Sequence, residues 1–282
     1  MPQAIIKLLK EATKANKADK FREGNVINMP ANGKLVIGGD IHGHRRNFER
    51  LIKVADLENN PENHLLLQEI IHGGPEDQQG GCLSFELLFE AARHKILFPD
   101  RVHIIMGNHD TVCVNNSEVI KNGKEMNLAM KKCLDRKYPD NQQEILEAIK
   151  EFIISEPLAL RTQNRIWMSH SLPADRFIDQ FDPAIFNKEL EEKSLAPKES
   201  VYFLTWGRNH SQQLLDKMAK MLDVDIFILG HQTQPDGFKK AGENLIILSS
   251  EHNHGCFLTI DLQKGYNTDE LVNMIAPLAS IA

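Results

Sequence analysis

Six polar side chains stand just beyond short apolar runs: Asp40, His42, Glu69, Asn108, His170 and His231. Asp40 and His42 lie in Gly39-Asp40-Ile41-His42-Gly43-His44, after Lys34-Leu35-Val36-Ile37. Glu69 and then His72 follow Leu65-Leu66-Leu67, and Asn108-His109-Asp110 follows the run Val102 to Met106. His170 follows Ile166-Trp167-Met168, and His231 follows Ile226-Phe227-Ile228-Leu229. The donors are oxygen and nitrogen with no thiolate. Such a set suits Mn, Fe or Zn better than Ca, and no Cys-type structural zinc is indicated. Six ligands are too many for one catalytic metal that keeps an open position. They suit two cations about 3.5–4 Å apart sharing a carboxylate. Two divalent cations against two carboxylates leave a local charge of about +2, which attracts phosphate even on an acidic protein.

These donors meet only if their loops leave the same end of a sheet, where α/β folds form their binding crevice. The pattern of the chain supports this. Strands are predicted at Lys34–Ile37, Leu65–Leu67 continuing to Ile71, Val102–Met106, Ile166–Met168, Ile226–Leu229, Leu245–Leu248 and Phe257–Ile260. Helical spacing of apolar residues marks Ile5-Leu8-Leu9-Ala12, Phe48-Leu51-Ile52-Ala55 and Leu214-Met218-Met221-Leu222. A further helix is predicted over 84–96, and a tail helix with Thr268 as N-cap and Asp269 and Glu270 in its first turn. Glycines make Gly73 to Gly81 a turn-forming loop. The stretch 116–156 reads as mainly helical, an insertion within one domain spanning 1–282. Strands alternating with helices give the α/β class.

Composition narrows the remaining options. The chain has 282 residues, 41% hydrophobic and 26% charged, with a net charge of −6. These are globular values, without the basic excess of a nucleic-acid binder. The apolar runs are too short to span a bilayer, and no signal peptide is read at the start. The four cysteines form no CxxC pair. Scattered thiols point to a reducing cytoplasm. The expected partner is a phosphorylated substrate, without nucleic acid or membrane; the oligomeric state stays open.

The segments Gly39 to Gly43, Gly107 to Asp110, Ser169-His170 and Gly230-His231-Gln232 resemble, in family order, motifs of the calcineurin-like metallophosphoesterases. They are most similar to the phosphoprotein phosphatase branch. Each is short and weak alone; four in order, each after a predicted strand, are specific. The resemblance implies an α/β/β/α sandwich of two mixed sheets and a dinuclear centre. It implies Asp40, His42, Glu69, Asn108, His170 and His231 as metal ligands and His109 as the general acid. Asp110 either orients His109 or caps the turn. Arg208 in Thr205-Trp206-Gly207-Arg208 resembles an arginine placed on the substrate phosphate, with Asn108 beside it; alternatively it is an exposed arginine after a strand. The second motif departs from the family. Glu69 replaces the bridging aspartate, His72 an aspartate that pairs with the catalytic histidine, and Gly73 a phosphate-binding arginine. His72 would then support a ligand, touch substrate or add a ligand. The expectation is a metal-dependent phosphatase acting on phosphomonoesters, such as phosphorylated Ser or Thr. The alternatives are a dinucleoside polyphosphate hydrolase or phosphodiesterase, and a weakly active regulatory metal-binding protein.

Overall fold

Strand residues buried on both faces read as continuous apolar runs, and Lys34–Asp40 is one of them. Leu35 and Ile37 face one apolar cluster and Val36 faces another. That arrangement needs a second sheet on one side and helices on the other. The computed structural model, which describes residues 2–282, shows both.

The strands are β1 (Arg22–Glu23), β2 (Val26–Asn28), β3 (Lys34–Asp40), β4 (His64–Gln68), β5 (Val102–Ile105), β6 (Ile120–Lys121) and β7 (Lys124–Glu125). They continue as β8 (Ala159–Arg161), β9 (Ile166–Ser169), β10 (Ile226–Leu229), β11 (Phe238–Lys240), β12 (Leu245–Leu248), β13 (Cys256–Asp261) and β14 (Ala276–Pro277). One sheet has the order β14-β13-β3-β4-β5, the other β1-β2-β8-β9-β10-β12-β11. The runs β3-β4-β5 and β9-β10-β12 are parallel. A bridge between Asp40 and Ser249 ties the sheets together. Leu35, Ile37, Leu66, Met168, Ile228 and Leu248 share the apolar layer between them.

Helices cover the outer faces: α1 (Pro2–Lys17), α2 (Arg45–Ala55), α3 (Ser84–Leu97), α4 (Asn108–Asn115), α5 (Met126–Lys137), α6 (Gln142–Ile154), α7 (Ser200–Trp206), α8 (Gln212–Leu222) and α9 (Thr268–Met274). α2 and α3 lie on β3, β4 and β5, and α1 packs on α3 and α6. Leu214, Leu215 and Met218 of α8 join Phe227, Leu229 and Ile247 on the far side of the other sheet. The fold is therefore the α/β/β/α sandwich. Among the described residues no helix is long and apolar enough to cross a membrane.

Four local features differ from the sequence pattern. β4 stops at Gln68 instead of running to Ile71, because Glu69 takes a left-handed backbone with φ +46°. The stretch 116–156 carries α5 and α6 but also the β6–β7 hairpin, turned at Asn122-Gly123 with φ +53° and +75°. That dipeptide is the hairpin signal the helical reading passed over. Arg208 follows α7, not a strand. Asn267, not Thr268, caps α9, with its side chain and Glu270 exchanging backbone bonds as a capping box.

At the end of β4 and β5 away from the site lies a buried polar network. Asp19 Oδ2 accepts from Lys95 Nζ at 2.8 Å and is 3.1 Å from His103 Nδ1, whose ring leads on to His64. Burial alone would raise the Asp19 carboxyl, but His103 and Lys95 outweigh it and hold it well below the usual range. Asp19→Ala leaves the Lys95 ammonium buried without its carboxylate and takes away the partner of His103, so it is expected to cost about 3–5 kcal/mol in urea unfolding. A depressed carboxylate stabilises above the unfolded value near ~3.9 and loses that contribution as pH falls through the folded one. The gap between wild type and variant is therefore expected to shrink below about pH 4.

Candidate metal centre

The carboxyl ends of β3, β4 and β5 carry Asp40, Glu69 and Asn108, and those of β9 and β10 carry His170 and His231. The two sheets open toward the same edge, so one cluster draws donors from both. His42, Glu69, His72 and His231 all have left-handed backbone, with φ of +43°, +46°, +63° and +67°. Non-glycine residues held there cost roughly 1–3 kcal/mol each, and such strain gathers at functional sites. Gly107 leaves room that no side chain would: a Cβ there would collide with Glu69 Oε1.

Hydrogen bonds orient the imidazoles. The Gln68 amide donates to the Gly38 carbonyl, so its Oε1 faces His170 Nδ1 at 3.1 Å. The His170 proton therefore sits on Nδ1. The lone pair of Nε2 then points at Glu69 Oε2 and Asn108 Oδ1, each 2.9 Å away, and His231 Nδ1 at 3.2 Å. His42 repeats the pattern. Its Nδ1 donates to the Ile71 carbonyl at 3.0 Å, leaving Nε2 toward Glu69 Oε2 at 4.0 Å and Glu251 Oε2 at 3.6 Å. Outer partners that fix the tautomer and turn a free nitrogen inward are the usual support of a metal-ligating histidine.

The donors form two groups, His42-Glu69-His109 and Glu69-His170-His231, with ligand atoms within 4.8 Å of one another in each. Glu69 belongs to both. Asp40 stands beside the second group, its oxygens accepting the His231 backbone N–H at 2.9 and 3.0 Å. Burial pushes Asp40 up to about 7 and Glu69 up to about 8. Burial also pushes His42 down to about 4, and His109 and His231 well below their usual value. Burial thus favours the neutral form of acids and imidazoles alike, and neutral imidazole is the form that ligates a metal. His231 Nε2, His109 Nδ1 and both nitrogens of His72 are buried without a hydrogen-bond partner. Two divalent cations fit this donor set.

The other expected residues fall around the cluster. The His109 N–H donates to Glu69 Oε1 at 2.7 Å, and its ring lies 4.6 Å from His42 and 5.4 Å from His72, between centroids. Asp110 accepts the Gly107 N–H at 2.8 Å as a helix cap, while the His109 ring Nδ1 has no partner. Arg208 Nη1 donates to the His231 carbonyl at 3.0 Å, which sets its guanidinium at the edge of the cluster. Sequence reasoning missed Gln68, whose signal was its place next to Glu69. It also missed Glu251 and Lys121, which carry no motif. Glu251 is 7% exposed and binds Lys121 Nζ and Thr233 Oγ1. With His42, Gly73 and His252 they line a cleft of about 460 Å³.

Comparison with known proteins gives the family and the fold. Residues 33–235 match the family described as calcineurin-like phosphoesterase. The chain belongs to the calcineurin-like phosphoesterase family. Within that family it is 22% identical to a serine/threonine-protein phosphatase of Caenorhabditis elegans, over 78% of this chain and 48% of that protein. The chain spans about half the length of the curated relatives it matches. A protein serine/threonine phosphatase from Saccharomyces cerevisiae superposes with a TM-score of 0.70 at 17% identity, covering 99% of this chain and 93% of that one. A cold-active protein-tyrosine phosphatase from a Shewanella species gives 0.58 at 14% identity, covering 89% and 80%. Likeness at these identities shows the fold alone, and the two phosphatases are named for different amino acids.

Proposed function

We propose that this phosphoesterase-family chain is a dinuclear metal-dependent phosphatase that hydrolyses phosphomonoesters. The observation that carries the reading is Glu69, the carboxylate common to both donor groups. Asp40, His42, Glu69, Asn108, His170 and His231 would hold two ions of Mn, Fe or Zn. Bound cations of this kind supply an activated water and neutralise charge on the phosphoryl oxygens. The chain's own part is positioning. Gln68 and the Ile71 carbonyl hold the imidazoles, and Arg208 presents a guanidinium fork to the phosphate with Asn108 beside it. His109 donates a proton to the leaving oxygen. An arriving phosphate dianion lends its ring the negative neighbour that favours the imidazolium. Asp110 holds the His109 turn through Gly107, and His72 fills the space behind it. Residues 1–282 are read as one domain with its insertion at 116–156. The four cysteines are free and buried, which supports a cytoplasmic setting.

Manganese-loaded protein is expected to turn over an aryl phosphomonoester, and chelation is expected to remove at least about 99% of that activity until metal is returned. Metal analysis should give close to two ions per chain. Gly73, which brings no cation to the phosphate, keeps a polyphosphate or diester substrate as the second reading. Phosphoserine peptide, aryl diester and diadenosine tetraphosphate, assayed side by side, separate the two. Strong preference for the nucleotide would replace the monoester reading. Full metal loading without turnover of any ester would make the chain a binding protein.

A further inference from the structure

We propose that Lys121, delivered by the β6–β7 hairpin, is a second phosphate-binding cation opposite Arg208, and that Glu251 is the latch that holds it between turnovers. The proposal rests on the phosphomonoesterase reading and adds the feature that would select monoesters.

The segment after Glu69 brings no cation to the cleft. His72 is buried, and a Cβ on Gly73 would collide with the His42 carbonyl. Two lysines line the cleft on this side. Lys124 is held away by Glu76 at 2.5 Å and by the Gly80 carbonyl. Lys121 instead turns inward to Glu251, whose Oε2 lies 3.6 Å from His42 Nε2. Lys121, Glu251 and His42 line one cleft. Arg208 stands at the other donor group, its Nη1 on the His231 carbonyl at 3.0 Å. A phosphoryl group seated on the cluster would therefore meet a cation on each flank.

Release from the latch leaves Glu251 with a remaining partner. Glu251 keeps its bond to Thr233 Oγ1 when Lys121 departs. The hairpin itself is two residues per strand about a left-handed turn, and Ile120 is exposed. It pairs with neither of the two large sheets. A monoester dianion spreads two negative charges over three unesterified oxygens, whereas a diester spreads one over two. The exchange of carboxylate for phosphate thus favours the monoester.

Lys121→Met and Lys121→Arg test this in metal-loaded protein, with inorganic phosphate as the binding probe by calorimetry. Lys121→Met is expected to weaken phosphate binding and raise KM for an aryl monoester by about tenfold each, the worth of one charge-assisted hydrogen bond. KM for an aryl diester should stay within about twofold, bound metal should be unchanged, and Lys121→Arg should restore most of the loss. Unchanged phosphate affinity in Lys121→Met overturns the proposal. Equal losses on both esters with loss of metal also overturn it, since Lys121 would then only position Glu251. Failure of the phosphatase reading looks different: wild type would hydrolyse neither ester, while the phosphate titration would still report on Lys121.

Discussion

Glu69→Gln is expected to empty both halves of the candidate centre. Glutamine keeps the length of the side chain and can still accept the His109 N–H, so the local fold has reason to survive. It loses the negative charge that both donor groups share. Its amide also risks turning N–H bonds toward the inward lone pairs of His42 and His170, where a cation needs electron density. Bound metal should fall from about two ions per chain to under about half an ion, and turnover by on the order of 10³-fold. Elemental analysis after gel filtration reads the first and an aryl phosphate assay the second. Circular dichroism checks that the variant is folded. Retention of both ions in the variant would remove Glu69 from its proposed shared position.

His109→Ala carries the other large effect. As proton donor to the leaving oxygen, His109 is worth on the order of 10²–10⁴-fold in kcat. The loss should depend on the ester. A nitrophenyl group departs without help, so its hydrolysis should suffer least, whereas an alkyl phosphate needs the proton and should suffer most. His109 also stands in the group with His42 and Glu69, so the metal count of the variant decides between two roles. Full metal content with slow alkyl ester hydrolysis supports the acid. Loss of one ion makes His109 a ligand and ends the acid assignment.

Much of this arrangement was legible because it follows strand ends. A parallel strand buried on both faces is written as an unbroken apolar run, and its last residue must be followed by a turn at the sheet edge. Asp40, Asn108, His170 and His231 each occupy such a place, so linear order translates into proximity. Glu69 was found the same way, although the end of its strand was misjudged: Ile70 and Ile71 look like more strand, and only the left-handed backbone at Glu69 ends it. Lys121 and Glu251 were invisible for a different reason. They meet across 130 residues, from a hairpin and a loop that share no pattern. The hairpin was hidden inside a stretch whose flanks are strongly helical, where the Asn122-Gly123 signal is brief. Asp19, Lys95 and His103 form their network through tertiary packing alone, each unremarked in its own segment.

The bridge between Asp40 and Ser249 means that the cage sits on a seam: one wall belongs to the five-stranded sheet and the other to the seven-stranded one. Ions that grip both walls would act as rivets as well as reagents. Whatever strips them should slacken the joint, making the halves of the sandwich easier to prise apart by heat or protease. With ions bound, the same joint would give metal supply a say in how long each molecule lasts, separately from how fast it works.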